Sequence, residues 1–79
     1  MLSDAAVGRT YTMLGLEGGH FMREKVFSMG LNPGVTLKVL LNPGFGPIEL
    51  EVRQAKLAIG RGMACRIRIR ENGDLKEAS

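Results

Sequence analysis

Residues 31–53 read LNPGVTLKVLLNPGFGPIELEVR, and the alternation of turn and apolar signals in this stretch decides the fold. Asn32-Pro33-Gly34 predicts a turn, because proline presets φ at the first central position and glycine supplies positive φ at the second. Thr36–Leu41 follows as a strand, with Leu37, Val39 and Leu41 alternating to one side. A second turn-rich segment, Asn42-Pro43-Gly44-Phe45-Gly46-Pro47, leads into the strand Ile48–Arg53. There Ile48, Leu50 and Val52 point inward, and Glu49, Glu51 and Arg53 point out. The tetrapeptide Leu-Asn-Pro-Gly occurs at 31–34 and again at 41–44. Nothing else recurs at that spacing, so these are two independent turns built with the same chemistry.

Working outward, Gly8–Leu16 reads as a strand through Thr10, Tyr11 and Thr12, with a bulge at Gly15. Gly18-Gly19 ends it. Gly19–Met29 is the one helical pattern: Met22, Val26 and Met29 share a face, and Arg23, Glu24 and Lys25 lie outside it. Gly30 sits where a left-handed cap needs no Cβ. A helix this short is marginal alone and must dock on the rest of the chain. Toward the C-terminus, Lys56–Ile59 gives a short fourth strand, and Gly60-Arg61-Gly62 a tight link or a single helical turn. Ala64–Arg70 is a fifth strand, with Cys65, Ile67 and Ile69 inward and Arg66, Arg68 and Arg70 outward. On that alternation Cys65 is a small buried apolar side chain. Residues 1–70 thus form a single domain, and 71–79 a polar, unpatterned tail expected to fray. Five short strands, glycine-rich links and one short helix after the first strand predict a mainly β fold, a strongly bent sheet closed into a partly open barrel. SH3-like and OB-like barrels both fit this count.

Seventy-nine residues suffice for one core, and 44% hydrophobic with 24% charged residues argues against disorder along the whole chain. A single cysteine rules out an intrachain disulfide, which fits a reducing compartment. No apolar run approaches the ~20 residues needed to span a bilayer. The stretch Met1–Ala6 lacks the basic and apolar regions of a signal peptide, so a cytoplasmic location is expected. The net charge of +3 comes from eleven basic and eight acidic residues interspersed along the chain. That is a poor signature for a dedicated nucleic-acid binder, so no nucleic-acid partner is expected.

The residues that could carry chemistry are few. His20 is the one histidine; Ser3 and Ser28 are not placed near it by any motif, although Glu17 and Glu24 are close in sequence. CxxC, HxxxH and HExxH are missing, so no catalytic residue, metal ligand or cofactor is expected. Gly18-Gly19 precedes a helix without a phosphate-loop pattern, and reads as a turn. The stripe Arg66, Arg68 and Arg70 reads as a solvated face paired in part with Glu49 and Glu51 across the sheet, each pair worth roughly 0.2–1 kcal/mol. It could otherwise meet phosphates, an acidic partner or lipid head groups. Phe45 lies at a loop tip, and Phe21 and Phe27 lie off the Met22–Val26–Met29 face. Exposed together, the three phenylalanines form an apolar patch suited to a partner; with the helix rolled, one or two of them complete the core.

Together these motifs resemble the FeoA family, small SH3-like accessory proteins of bacterial ferrous iron uptake. The resemblance runs from Leu2 to Arg70. Leu2-Ser3-Asp4 followed by Gly8 is similar to the family's start. Glu17-Gly18-Gly19, a helix and then Met29-Gly30-Leu31-Asn32-Pro33-Gly34 resemble its "MGLxPG" element. Phe45-Gly46-Pro47-Ile48-Glu49-Leu50 resembles its "GDPIEI" element without the aspartate, and Leu57-Ala58-Ile59 and Ala64-Cys65-Arg66-Ile67 are similar to its last two strands. The family's arginine-rich helix is Arg23-Glu24-Lys25 here, and Met63 stands where a glutamate is common. The resemblance implies an SH3-like barrel with no reaction of its own. Its expected partner is the G-protein-coupled ferrous iron permease, FeoB, met from the cytoplasmic side at the inner membrane, with Phe21, Arg23 and Phe45 as candidate contacts. Exposed strand edges leave room for a homo-oligomer. The barrel of a metal-dependent transcription regulator and a weak nucleic-acid-binding barrel are the alternative roles.

Overall fold

Local sequence chemistry builds five strands and two helices in the computed structural model, which describes residues 1–72. After an N-terminal 3-10 turn at Leu2–Asp4 come β1 (Thr10–Leu16), α1 (His20–Ser28), β2 (Thr36–Leu41), β3 (Ile48–Val52), β4 (Ala55–Ile59), the one-turn α2 (Arg61–Ala64) and β5 (Ile67–Glu71). The strands form one antiparallel sheet in the order β4-β3-β2-β1-β5. This is the mainly β, SH3-like fold expected from the sequence, with its helix after the first strand. The strand expected over Lys56–Ile59 and the helical turn expected at Gly60-Arg61-Gly62 are both present, the latter extended to Ala64. β5 runs to Glu71 and Asn72 is bonded to Thr10 and Thr12, so these two residues of the expected tail are tied to β1 rather than frayed; the remaining residues, 73–79, lie outside the described residues.

The turns follow the sequence closely. The Val35 amide donates to the Asn32 carbonyl at 3.0 Å, with Gly34 at φ +94°, which is a type II turn. The end of α1 is a Schellman motif. Leu31 N–H donates to the Val26 carbonyl at 3.3 Å and Gly30 N–H to that of Phe27 at 3.0 Å, with Gly30 at φ +93°. Leu31 and Val26, the apolar pair of that motif, are both fully buried.

One apolar core fills the space inside the sheet. Tyr11, Met13 and Leu16 of β1, Leu37 and Val39 of β2, and Ile48, Leu50 and Val52 of β3 enter it. Val26 brings α1 onto it, Ala64 does the same for α2, and Leu2 and Ala5 close the N-terminal end. No polar or charged residue among those described is buried. Met22, Phe27 and Met29 pack against the core partly buried. The helix is therefore rolled enough to use Phe27, while Phe21 stays outside, 86% exposed.

Two expectations about which way a side chain points and one about where a strand ends need correcting, each because regular alternation stops. Leu41 does not continue the inward row of Leu37 and Val39. The β2–β3 register shifts between Val39 and Leu41, and this bulge turns Leu41 outward to 46% exposure. Arg53 is not the last residue of β3; with Gln54 it forms the two-residue loop between Val52 and Ala55, both at positive φ (53° and 70°), as a type I′ turn requires. Cys65 is exposed rather than buried. It caps α2 in a helical conformation, two residues before β5 begins, so the inward phase of Ile67 does not reach back to it. Its thiol donates to the Gly62 carbonyl at 3.0 Å, and Ala64 fills the core instead. The bulge expected at Gly15 is present, as a register shift between Met13 and Gly15 against β5.

Candidate interaction surface

The first helical turn of α1 carries the most exposed large apolar side chain of the described residues, Phe21. Gly18-Gly19 delivers it there by ending β1 and starting α1 with no side chain at the N-cap. Two open depressions flank the ring. Glu24, Lys25, Phe27 and Ser28 line the one on the C-terminal side. The other is lined by Gly19, His20, Met22, Lys25 and Met63, so α2 supplies one wall. Gly18 matters to this second depression because a Cβ there would lie 2.9 Å from the Met22 sulfur. Lys25 borders both depressions. His20 Nε2 lies 3.2 Å from Glu24 Oε2, so the carboxylate of this helix surface has a neighbour already.

Phe45, at the tip of the β2–β3 loop, is 74% exposed. Its loop is held from both ends. Arg61 of α2 donates through Nε to the Gly46 carbonyl at 3.2 Å, through Nη2 to Asn42 Oδ1 at 2.6 Å and through Nη1 to the Ser3 carbonyl at 3.3 Å. Asn42 Nδ2 in turn donates to the carbonyls of Ser3 and Ala5 at 3.2 and 2.8 Å. One guanidinium thus ties together the N-terminal turn, the Phe45 loop and α2, and Met63 follows two residues after it.

Of the three residues singled out in the sequence, Phe21 sits between the depressions, while Arg23, exposed on the same helix, and Phe45 line neither. Met63, Lys25 and Arg61 were not singled out. Lys25 was one charge among several on an outer helix face, and the reach of Arg61 to positions 3, 42 and 46 leaves no local signal. The arginine stripe is arranged differently from expectation. β5 neighbours β1 alone, so Glu49 and Glu51 on β3 are out of its reach; Glu51 stands opposite Lys38 and Lys56. Arg68 crosses the bare backbone of Gly15 to lie 3.9 Å from Glu17, and Arg9 pairs with Glu71. Among the described residues no group of three or more His, Cys, Asp or Glu is placed to hold a metal ion. No helix among them is long and apolar enough to cross a membrane.

A five-stranded antiparallel barrel with a short helix after β1 and solvent-facing phenylalanines belongs to the class of small SH3-like domains. The solved structures it is similar to share that class. A crystal structure of an iron uptake regulatory protein, FeoA, superposes with a TM-score of 0.86 at 39% identity, over 90% of this chain and 95% of that one. A manganese-dependent transcriptional repressor superposes with a TM-score of 0.81 at 23% identity, over 90% of this chain and 40% of the repressor, a likeness of fold alone. A protein of Methanocaldococcus jannaschii named for Fe(2+) transport, protein A, is 31% identical over 70 residues, 89% of this chain and 84% of its own. The model of the FeoA domain matches residues 1–71. This chain belongs to the FeoA domain family.

Proposed function

We propose that this chain is a non-catalytic accessory protein of ferrous iron uptake. It docks from the cytoplasmic side on the iron permease FeoB and biases the permease's conformational equilibrium. The family match supports the iron-transport role, as do the names of its relatives. The observation that carries docking is the 86% exposure of Phe21 on a helix that packs on the core through Met22, Val26 and Phe27. An aromatic ring left in water beside two depressions is the kind of anchor that concentrates binding energy at an interface. Arg23 on the same helix and Phe45 on its clamped loop complete the proposed contact set. The loop's attachment to Arg61 at both Asn42 and Gly46 limits the backbone entropy lost when Phe45 is covered. Such a partner acts by binding one state of the permease better than another.

The experiment is binding of the purified chain to the permease in lipid nanodiscs, followed by interferometry. Binding is expected, weakened at least tenfold by Phe21→Ala, the loss of a ~1.4 kcal/mol contact. Silence at high micromolar concentration, or full affinity in the variant, overturns the docking proposal. The likeness to the manganese-dependent repressor suggests a second role, as the barrel of a transcription regulator, but that rests on fold alone.

A further inference from the structure

We infer that the depression between α1 and α2 takes an acidic, apolar-anchored peptide segment of a protein partner. Its apolar side chains would rest on Met22 and Met63 beside Phe21, and its carboxylates would meet Lys25. The inference deepens the docking proposal by naming the chemistry of the docked segment. Its basis is the make-up of one site. The depression is open and about 460 Å³, and its lining includes Lys25 and His20 but no carboxylate. The carboxylate nearest in sequence, Glu24, faces His20 at 3.2 Å. Among the described residues neither Lys25 nor Arg23 makes an ion pair. Arg68 and Arg9 are answered from within the chain, by Glu17 and Glu71, and most other basic side chains among those described share the open state of Lys25; what sets Lys25 apart is the apolar floor beside it. The charge that α1 presents is therefore open to a partner of opposite sign.

The floor is suited to peptide rather than to a small molecule. A small-molecule site encloses most of its ligand and aims several polar groups at it. This one is open and mostly apolar, with Lys25 on the side of α1. Met22 and Met63 are unbranched and polarizable, so they can repack around different aliphatic or aromatic anchors. An anionic bilayer is the less fitting surface. It offers a plane of charge that rewards a wide field of cations at about 1 kcal/mol each, whereas this depression presents a single lysine.

The test uses the full chain, labelled with 15N, and three probes. The first is a short peptide carrying two leucines one helical turn apart with glutamates beside them. The second is the same peptide with lysines in place of the glutamates, and the third is vesicles containing phosphatidylglycerol. The acidic peptide is expected to shift the amides of His20–Lys25 and Met63 and to bind more weakly as salt rises. Lys25→Glu should weaken it about fivefold, the scale of one exposed ion pair. Phe21→Ala should weaken it further, both variants keeping the native spectrum because both side chains lie outside the core. Equal binding of the acidic and basic peptides overturns the inference, as does binding to the vesicles alone or shifts confined to β5. If the permease binds while the acidic peptide does not compete, this inference fails and the docking proposal stands. If the acidic peptide binds and the permease does not, the site stands and the permease is the wrong partner.

Discussion

Gly30 ends α1 at φ +93°, where an L side chain crowds the following carbonyl. Gly30→Ala is expected to cost about 1–2 kcal/mol in urea unfolding, and an unchanged midpoint would show that the helix end relaxes freely. Arg61 acts at the same scale over a longer reach. Arg61→Met keeps the apolar stem but leaves Asn42 Oδ1 and the Gly46 carbonyl without their donor and takes one of two from the Ser3 carbonyl, a loss of about 1–3 kcal/mol. Thermal unfolding of that variant measures it, and a wild-type melting curve would remove Arg61 from the stabilising set. The two glycine signals, Gly30 and the Gly34 turn, were legible in the sequence because each is satisfied within a few residues of itself. Arg61 was not, since its partners lie 58, 19 and 15 residues away. Cys65 was misread because its orientation depends on where α2 stops, and a four-residue helix leaves little periodicity to read.

The strands were legible where side chains alternate against a buried face, as in Ile48–Val52, whose burial alternates without a break. Bulges defeat that reading. A bulge is a relation between two strands, so the outward turn of Leu41 depends on how β3 pairs with β2 and not on residues 36–41 alone. The β3–β4 hairpin is the element with the clearest room for improvement. Gln54 holds φ +70° in a two-residue turn that favours glycine at this place. Gln54→Gly is expected to raise stability by about 1 kcal/mol, read as a higher urea midpoint at unchanged slope. A lower midpoint would mean that the glutamine side chain contributes more than its backbone costs.

At the scale of the whole molecule, the sheet order β4-β3-β2-β1-β5 leaves β4 and β5 as edges, and a single arginine ties the N-terminal turn, the Phe45 loop and α2 together. The exposed phenylalanines were visible in the sequence as residues off the helix's apolar face. Which of them stays in water was not, because that depends on how far α1 rolls onto the sheet: Phe27 packs and Phe21 does not. Phe21→Ala should therefore leave unfolding within about 0.5 kcal/mol of the parent, as surface substitutions do, while weakening partner binding. A large stability loss would place the ring in the core and end its candidacy as an anchor. Docking itself is tested most directly by titrating the 15N-labelled chain with the soluble cytosolic region of the permease and following amide shifts. Shifts gathered at His20–Lys25, Met63 and Phe45, saturating with concentration, are the expected result. A spectrum unmoved across the titration, or shifts confined to the β4 or β5 edge, would contradict docking through this surface.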